Sequence, residues 1–128
     1  MLLRTCLFLL SFIPLATLVL PPVPQAQAEG FFTMKDREDF LLQMSGKYIS
    51  QTGLWMRFDD LGQVKGRVWG RPLLGNWEWR DGQLCKRVFY GTIDQGETCG
   101  IVRSSGATLY IVPDKGRGER ERYSIGMD

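Results

Sequence analysis

Asp59, Asp60, Glu78, Asp81, Asp94 and Glu97 are carboxylates that could supply a general acid and a general base, the pair that glycoside hydrolysis needs. Their spacing singles out no two of them. Asp59, Asp60, Asp81 and Asp94 stand in turn-forming sequence, where aspartate bonds nearby backbone amides. The chain has no histidine. Within it, Ser-His-Asp and Cys-His nucleophilic machinery, histidine bases and imidazole-built metal or haem sites are therefore excluded. No catalytic residue is assigned, and no metal or cofactor is expected.

Two other sets of side chains could bind rather than react. Trp77 and Trp79 stand two apart and so share one face of a strand, with Glu78 and Arg80 on the other. They could form a stacking platform, but in a small domain large aromatics are needed for the core, and that is the expected role here, with Phe40 and Leu41 beside them. Trp55 has the opposite parity from Leu54, Met56 and Phe58, which marks it as a surface aromatic and the first candidate for a ligand or partner contact. Lys115 and Arg117, in the glycine-rich Asp114–Arg122 segment, are candidates for holding an anion. The same segment also suits a solvent-facing strand whose charges block edge pairing. It contains no glycine fingerprint leading from a strand into a helix, so a dinucleotide is not expected.

The N-terminal sequence reads as a secretory signal: Arg4, an apolar run of 16 residues from Thr5 to Leu20, then Ala26-Gln27-Ala28. That run is short for a spanning helix and Pro14 interrupts it. Cleavage after Ala28 removes 28 of the 128 residues and leaves a single domain of 100, Glu29–Asp128. The location expected is periplasmic or secreted, with membrane contact only through the signal segment before cleavage. The whole chain carries 16 Lys and Arg against 14 Asp and Glu, a net +2 that becomes +1 without Arg4. So small an excess gives no footprint for nucleic acid. Cys85 and Cys99 remain, an even count that in an exported chain predicts one disulfide. Directly opposed, they set a register in which Val88 faces Gly96 and Tyr90 faces Asp94, around a Gly91-Thr92-Ile93 tip. A bulge at Asp94–Gly96 would shift that register and move the bridge to a diagonal.

These side chains need a scaffold, and the periodicity describes one. Thr33-Met34-Lys35-Asp36 has the form of a helix start with Thr33 as cap, and Met34–Ser45 follows as an amphipathic helix stopped at Gly46. Its face carries Met34, Leu41 and Met44, with Phe40 beside them. The remainder reads as about seven short strands joined by short connections, with Gly70-Arg71-Pro72 breaking one strand from the next and Asp81-Gly82 marking a tight hairpin. Short connections favour antiparallel neighbours. The fold class expected is mainly β: a small curved antiparallel meander, barrel or half-barrel, with one N-terminal α-helix packed on it.

The Gly75–Lys86 segment carries a resemblance. Gly75, Trp77, Trp79, Asp81, Gly82, Cys85 and Lys86, followed by Cys99 and by Asp114, Gly116, Arg117 and Gly118, resemble a family of small secreted bacterial proteins of unknown function with a G-x-W-x-W-x-D-G-x-x-C motif. The similarity spans roughly 33–125. Leu84 and Lys86 stand where members more often have an aromatic and an arginine. Some members bear the name dihydrodipicolinate reductase, but such reductases resemble a Rossmann domain joined to a second domain, with a glycine fingerprint and a histidine, and this chain has neither feature. The function expected is a non-enzymatic binding or envelope-associated module, whose partner is an envelope protein or a small ligand. The alternative is a small-ligand carrier with a pocket inside a lipocalin-like sheet. N-terminal sequencing and intact mass of the exported protein are expected to give a chain starting at Glu29 and lighter by the two hydrogens of a disulfide; a chain starting at Met1 with free thiols refutes the export reading.

Overall fold

The computed structural model describes residues 17–22 and 30–127. The expected cleavage site lies outside the described residues, as does most of the signal segment. Among the described residues no helix is long and apolar enough to cross a membrane.

The order of elements is β1 (Phe32–Thr33), α1 (Arg37–Met44), β2 (Lys47–Gln51), β3 (Leu54–Phe58), β4 (Gln63–Val68), β5 (Arg71–Arg80), β6 (Gln83–Tyr90), β7 (Ile93–Ser105), β8 (Thr108–Pro113), a 3-10 turn at Asp114–Gly116, and β9 (Glu121–Met127). Strands β2 to β9 each pair with the next, all antiparallel, and β9 returns to pair with β2. The result is a closed eight-stranded up-and-down barrel carrying one helix. The eighth barrel strand is β2, the segment around Tyr48 and Ile49. Closure leaves no open sheet edge around the barrel wall.

The long strand β7 makes closure possible. Its first part pairs with β6 as far as Leu84 opposite Gly100, and its second part pairs with β8 from Gly100 onward. The edge that β6 abandons is taken by β1, with Phe32 opposite Ser104 and Thr33 opposite Arg103, and the Met34 amide continues the pairing to the Val102 carbonyl at 3.0 Å. A barrel this narrow bends its strands sharply, and two inward positions show how. A Cβ on Gly66 would lie 1.9 Å from the Trp55 carbonyl oxygen, and one on Gly75 would lie 2.1 Å from that of Arg87. Only glycine lets the neighbouring backbones approach so closely.

Strand alternation separates the faces. Leu54, Met56 and Phe58, Val64 and Val68, Leu73 and Trp77, Leu84 and Val88, Val102, Leu109, Ile111 and Tyr123 point inward and form one core. The helix closes one end of it. Phe40 is 0% exposed, and its ring meets Phe58, Trp77 and Trp79 at centroid distances of 5.2, 5.1 and 5.8 Å. Met44 is buried one turn on, Leu41 is packed at the margin and Leu42 is 79% exposed.

The helix begins three residues later than the sequence suggests. Asp36 is its N-cap, accepting a hydrogen bond from the Asp39 amide at 2.8 Å, while the Asp39 carboxylate accepts one from the Lys35 amide at 3.0 Å. Thr33 is committed to β1, so it does not cap, and Met34 is buried ahead of the helix rather than on its face. A second correction concerns the break expected at Gly70-Arg71-Pro72. Trp69 and Gly70, both at positive φ (48° and 78°), make the turn, and Arg71 and Pro72 begin β5. The Asp81-Gly82 hairpin has the expected form, with φ of 52° and 72° and Arg80 opposite Gln83.

Cys85 and Cys99 are disulfide-bonded and directly opposed, with Cα atoms 4.0 Å apart. The bulge falls between this pair and the hairpin tip, where Gln95 and Gly96 stand against Val88 alone. Phe89 therefore faces Asp94, Tyr90 faces Ile93, and Gly91-Thr92 is the tip. Val88 does not pair with Gly96, nor Tyr90 with Asp94. The bridge keeps its register because the extra residue lies beyond it.

Phe40→Ala removes the ring at the centre of this end and is expected to cost about 3–5 kcal/mol, whereas Leu42→Ala changes stability by less than about 0.5 kcal/mol. Urea unfolding of the two variants beside the parent checks both; a Phe40→Ala midpoint equal to the parent's rules out the plug.

Candidate functional site

Four of the six carboxylates, those of Asp59, Glu78, Asp94 and Glu97, are held in turns or ion pairs. Asp59 accepts from the Leu61 and Gln63 amides at 3.0 and 2.7 Å and closes the β3–β4 turn. Glu78 pairs with Arg80 Nε at 2.7 Å, and Arg80 also reaches Glu97. Asp94 binds Arg87, and the bond from that guanidinium holds its carboxyl below the usual range, with help from the Gly96 amide. Asp81 sits in the β5–β6 turn, and the Asp60 carbonyl takes a bond from Arg37. Glu78 and Glu97 meet on the Arg80 guanidinium, which pairs with both. Cys85, Glu97 and Cys99 lie together, but the two sulfurs are bonded to each other.

Behind Trp77 and Trp79 lie the side chains of the barrel core. Trp77 is 5% exposed and its indole N–H donates to the Asp59 carbonyl at 2.9 Å; that of Trp79 donates to the Lys35 carbonyl at 3.1 Å. Phe40, Phe58 and Leu84 belong to the same core. Candidate contacts on the outside of the barrel follow from the strand register.

One polar side chain of β6 stands directly across from Trp77. Lys86 lies between Leu84 and Val88 in the alternation of β6 and so points inward, its ammonium donating to Thr98 Oγ1 at 3.0 Å. Burial pushes its pKa down, and the charge of Glu121 opposes the shift. Glu121 accepts from the Tyr123 hydroxyl at 2.8 Å, and burial followed by that bond pushes the tyrosine far up.

The register defines a second feature on the outer face. Successive pairings place Gly126, Tyr48, Arg57, Lys65 and Leu74 in one row across β9-β2-β3-β4-β5. Ser124, Ser50, Trp55, Arg67 and Pro72 form the next row. Neighbouring strands stand about 4.8 Å apart, so each row runs for roughly 20 Å. Tyr48 lies across Gly126, where a Cβ would come 2.3 Å from the ring. It meets Trp55 edge-on at 6.3 Å, and Arg57 lies 5.8 Å from the Tyr48 ring and 5.5 Å from that of Trp55. Beside them is a recess of about 550 Å3, lined by Tyr48, Ser50, Gln51, Gly53, Leu54, Trp55 and Arg57. Trp69, 75% exposed, adds a third large ring at the end of β4, packed over Gly53.

Charge divides this face from its opposite. On β5 to β7, two outward cations, Arg80 and Arg87, are paired with Glu78, Glu97 and Asp94, while Arg103 has no salt bridge among the described residues. The two rows contain cations and rings but no acid, and among the described residues no carboxylate forms a salt bridge with Lys65 or Arg67. Arg67 is steadied instead by the Gly70 carbonyl at 3.1 Å.

Lys115 and Arg117 are not brought to one point. Lys115 lines a groove of about 580 Å3 with Thr33, Lys35 and Asp81, while Arg117 turns back to Asp114, 3.9 Å from its carboxylate. A larger cleft, about 820 Å3, lies between α1 and the β3–β4 hairpin, floored by Leu41, Leu42, Met44 and Phe58 and rimmed by both Glu38, Asp59 and Asp60 and Lys47 and Lys65. Sequence parity picked out Trp55 but not Tyr48, Arg57 or Arg67, because they join it only through the pairing of three strands. The signal for Lys86 was present, since it shares parity with Leu84 and Val88. No protein family, curated protein or solved structure matches the chain.

The lowered Lys86 pKa has a testable consequence. Between its folded value and the ordinary 10.5, the unfolded chain binds more protons than the folded one, so this residue's contribution to stability rises with pH through that window. Lys86→Met lacks the effect. Its stability relative to the parent is expected to be greatest near neutral pH and to decline steadily towards pH 10.5 in denaturant titrations; a pH-independent difference refutes the assignment.

Proposed function

We propose that this protein is an exported, non-enzymatic binding module of the periplasm or cell exterior, and that it binds through the outward face of β2, β3 and β4. The observation that carries this is the pair of cross-strand rows in which Tyr48 and Trp55 are flanked by Arg57, Lys65 and Arg67. Half-buried rings held edge to face, beside a recess and among cations, form a preorganised surface of the kind that concentrates binding energy. Stacked guanidinium and indole groups lose little conformational freedom when a ligand arrives.

Export is supported by the signal-like N-terminus and is compatible with the Cys85–Cys99 disulfide. The non-enzymatic reading rests on the lack of histidine and on carboxylates engaged in turns and ion pairs. For a carrier role, the cleft of about 820 Å3 beside α1 is a candidate pocket.

The mature protein is expected to cosediment with purified cell envelopes from the source cells. Trp55→Ala is expected to weaken that retention by roughly tenfold while leaving the unfolding midpoint within the range of Leu42→Ala. Equal retention of parent and Trp55→Ala rejects this face as the contact surface.

A further inference from the structure

We infer that the outer face of β7, β8 and β9 carries a second binding site, built on Tyr110 and three arginines, that takes a phosphate monoester. The site lies on other strands than the β2–β4 face and stands or falls apart from the function proposed above. Arg103, Tyr110 and Arg122 are directly opposed across the three strands, so the ring stands between two arginines. Neighbours in such a row are about 5 Å apart, which puts the two arginine backbones about 10 Å apart. Two long side chains can close that gap on one small group. The Arg120 guanidinium lies over the Tyr110 ring, 4.8 Å from its centroid. That contact uses the flat face of the guanidinium and leaves its in-plane N–H groups for an acceptor. Phe31, 52% exposed, meets Tyr110 edge-on at 5.4 Å.

These three arginines lack the partners that Arg80, Arg87 and Arg117 have. Among the described residues Arg103, Arg120 and Arg122 form no salt bridge. The Arg103 Nε is also shut off from solvent with no hydrogen-bond partner among the described residues. A buried donor without a partner is costly, and a turn of the guanidinium onto an oxyanion relieves it. The nearest acids in the chain do not neutralise the cluster. Glu121 stands directly across from the inward Ile111 and accepts from the Tyr123 hydroxyl. Glu119 is exposed and forms no salt bridge among the described residues. Charge count then chooses the occupant. A carboxylate or a phosphodiester brings one negative charge to three positive ones. A phosphate monoester brings nearly two, with three acceptor oxygens for the guanidinium forks. Tyr110 and Phe31 add ring surface for the group that the ester carries. A soluble ester and a lipid headgroup present the same phosphate.

The test uses the disulfide-bonded protein as purified from the source cells and three probes: phenyl phosphate, phenyl sulfate, which has the same shape and one charge, and the diester methyl phenyl phosphate. Dissociation constants are read by NMR titration. At pH 8 phenyl phosphate is expected to bind at least about tenfold more tightly than either other probe. Its affinity is expected to fall about tenfold by pH 5, because the second proton of the phosphate goes on near pH 6. Phenyl sulfate binding stays level over that range, since the arginines remain charged and Glu119 and Glu121 remain mostly ionised. Arg122→Gln, at an exposed position, and Arg103→Gln are each expected to weaken phenyl phosphate about tenfold. Arg87→Gln removes the same charge from a paired arginine and is expected to leave binding unchanged. Equal binding of the three probes, no binding of phenyl phosphate, or an unchanged affinity in Arg122→Gln overturns the inference. Vesicles of phosphatidylcholine with phosphatidate, a monoester, or with phosphatidylglycerol, a diester, separate the sources. Retention on phosphatidate alone, lost in Arg122→Gln, assigns the site to a lipid headgroup. Phenyl phosphate binding without retention on either assigns it to a soluble ester, and equal retention on both overturns it. Thermal unfolding of each variant distinguishes lost contacts from lost folding.

Discussion

The Phe40 ring, held among Phe58, Trp77 and Trp79, is the contact on which the rest of the barrel depends. A closed sheet solves the edge problem along its wall but not at its ends, where core side chains would meet water. An eight-residue helix has little stability of its own, so α1 persists because it is capped by Asp36 and anchored by that ring. The anchor then fixes other groups. The indoles of Trp77 and Trp79 reach the carbonyls of Asp59 and Lys35, tying the β3–β4 turn and the helix approach to the barrel end.

The inner packing also determines the outer surface. A strand cannot move a residue across its face without moving its whole set. Once Leu54, Met56 and Phe58 are inside, Trp55 and Arg57 are outside; once Val64 and Val68 are inside, so are Lys65 and Arg67 outside. Gly66 lets β4 follow the curvature tightly, which brings the two strands' outer side chains into a shared array. The cationic, aromatic face is thus a consequence of the same register that builds the core.

Much of this fold was legible because its signals are local. The Asp81-Gly82 turn, the alternation of β3 to β6 and the Cys85–Cys99 pair each specify structure within a few residues or one hairpin. The misplaced features have two causes, a distant strand partner and a local shift of a turn or register. Thr33 looks like a cap until β7 claims it as a strand residue. Pro72 looks like a breaker, yet it is tolerated as the second residue of β5, because the turn lies upstream at Trp69-Gly70. The bulge at Gln95–Gly96 lies beyond the bridge that would have reported it. Of the candidate site, Trp55 stood out by parity alone; its row partners became visible only when three strands were laid side by side.

The return of β9 to β2 has a kinetic meaning. Every other barrel pairing joins strands adjacent in the chain, but this one sets Lys47–Ser50 against Ser124–Met127. Hairpins β2 to β8 can form one by one as an open, curled sheet, yet the sheet cannot shut until the seven residues of β9 are in place. Until then β2 presents a bare edge and Ile49 and Leu109 lack their final neighbours. Closing the ring therefore depends on β9: without it the hairpins from β2 to β8 keep their partners while the cylinder stays unsealed.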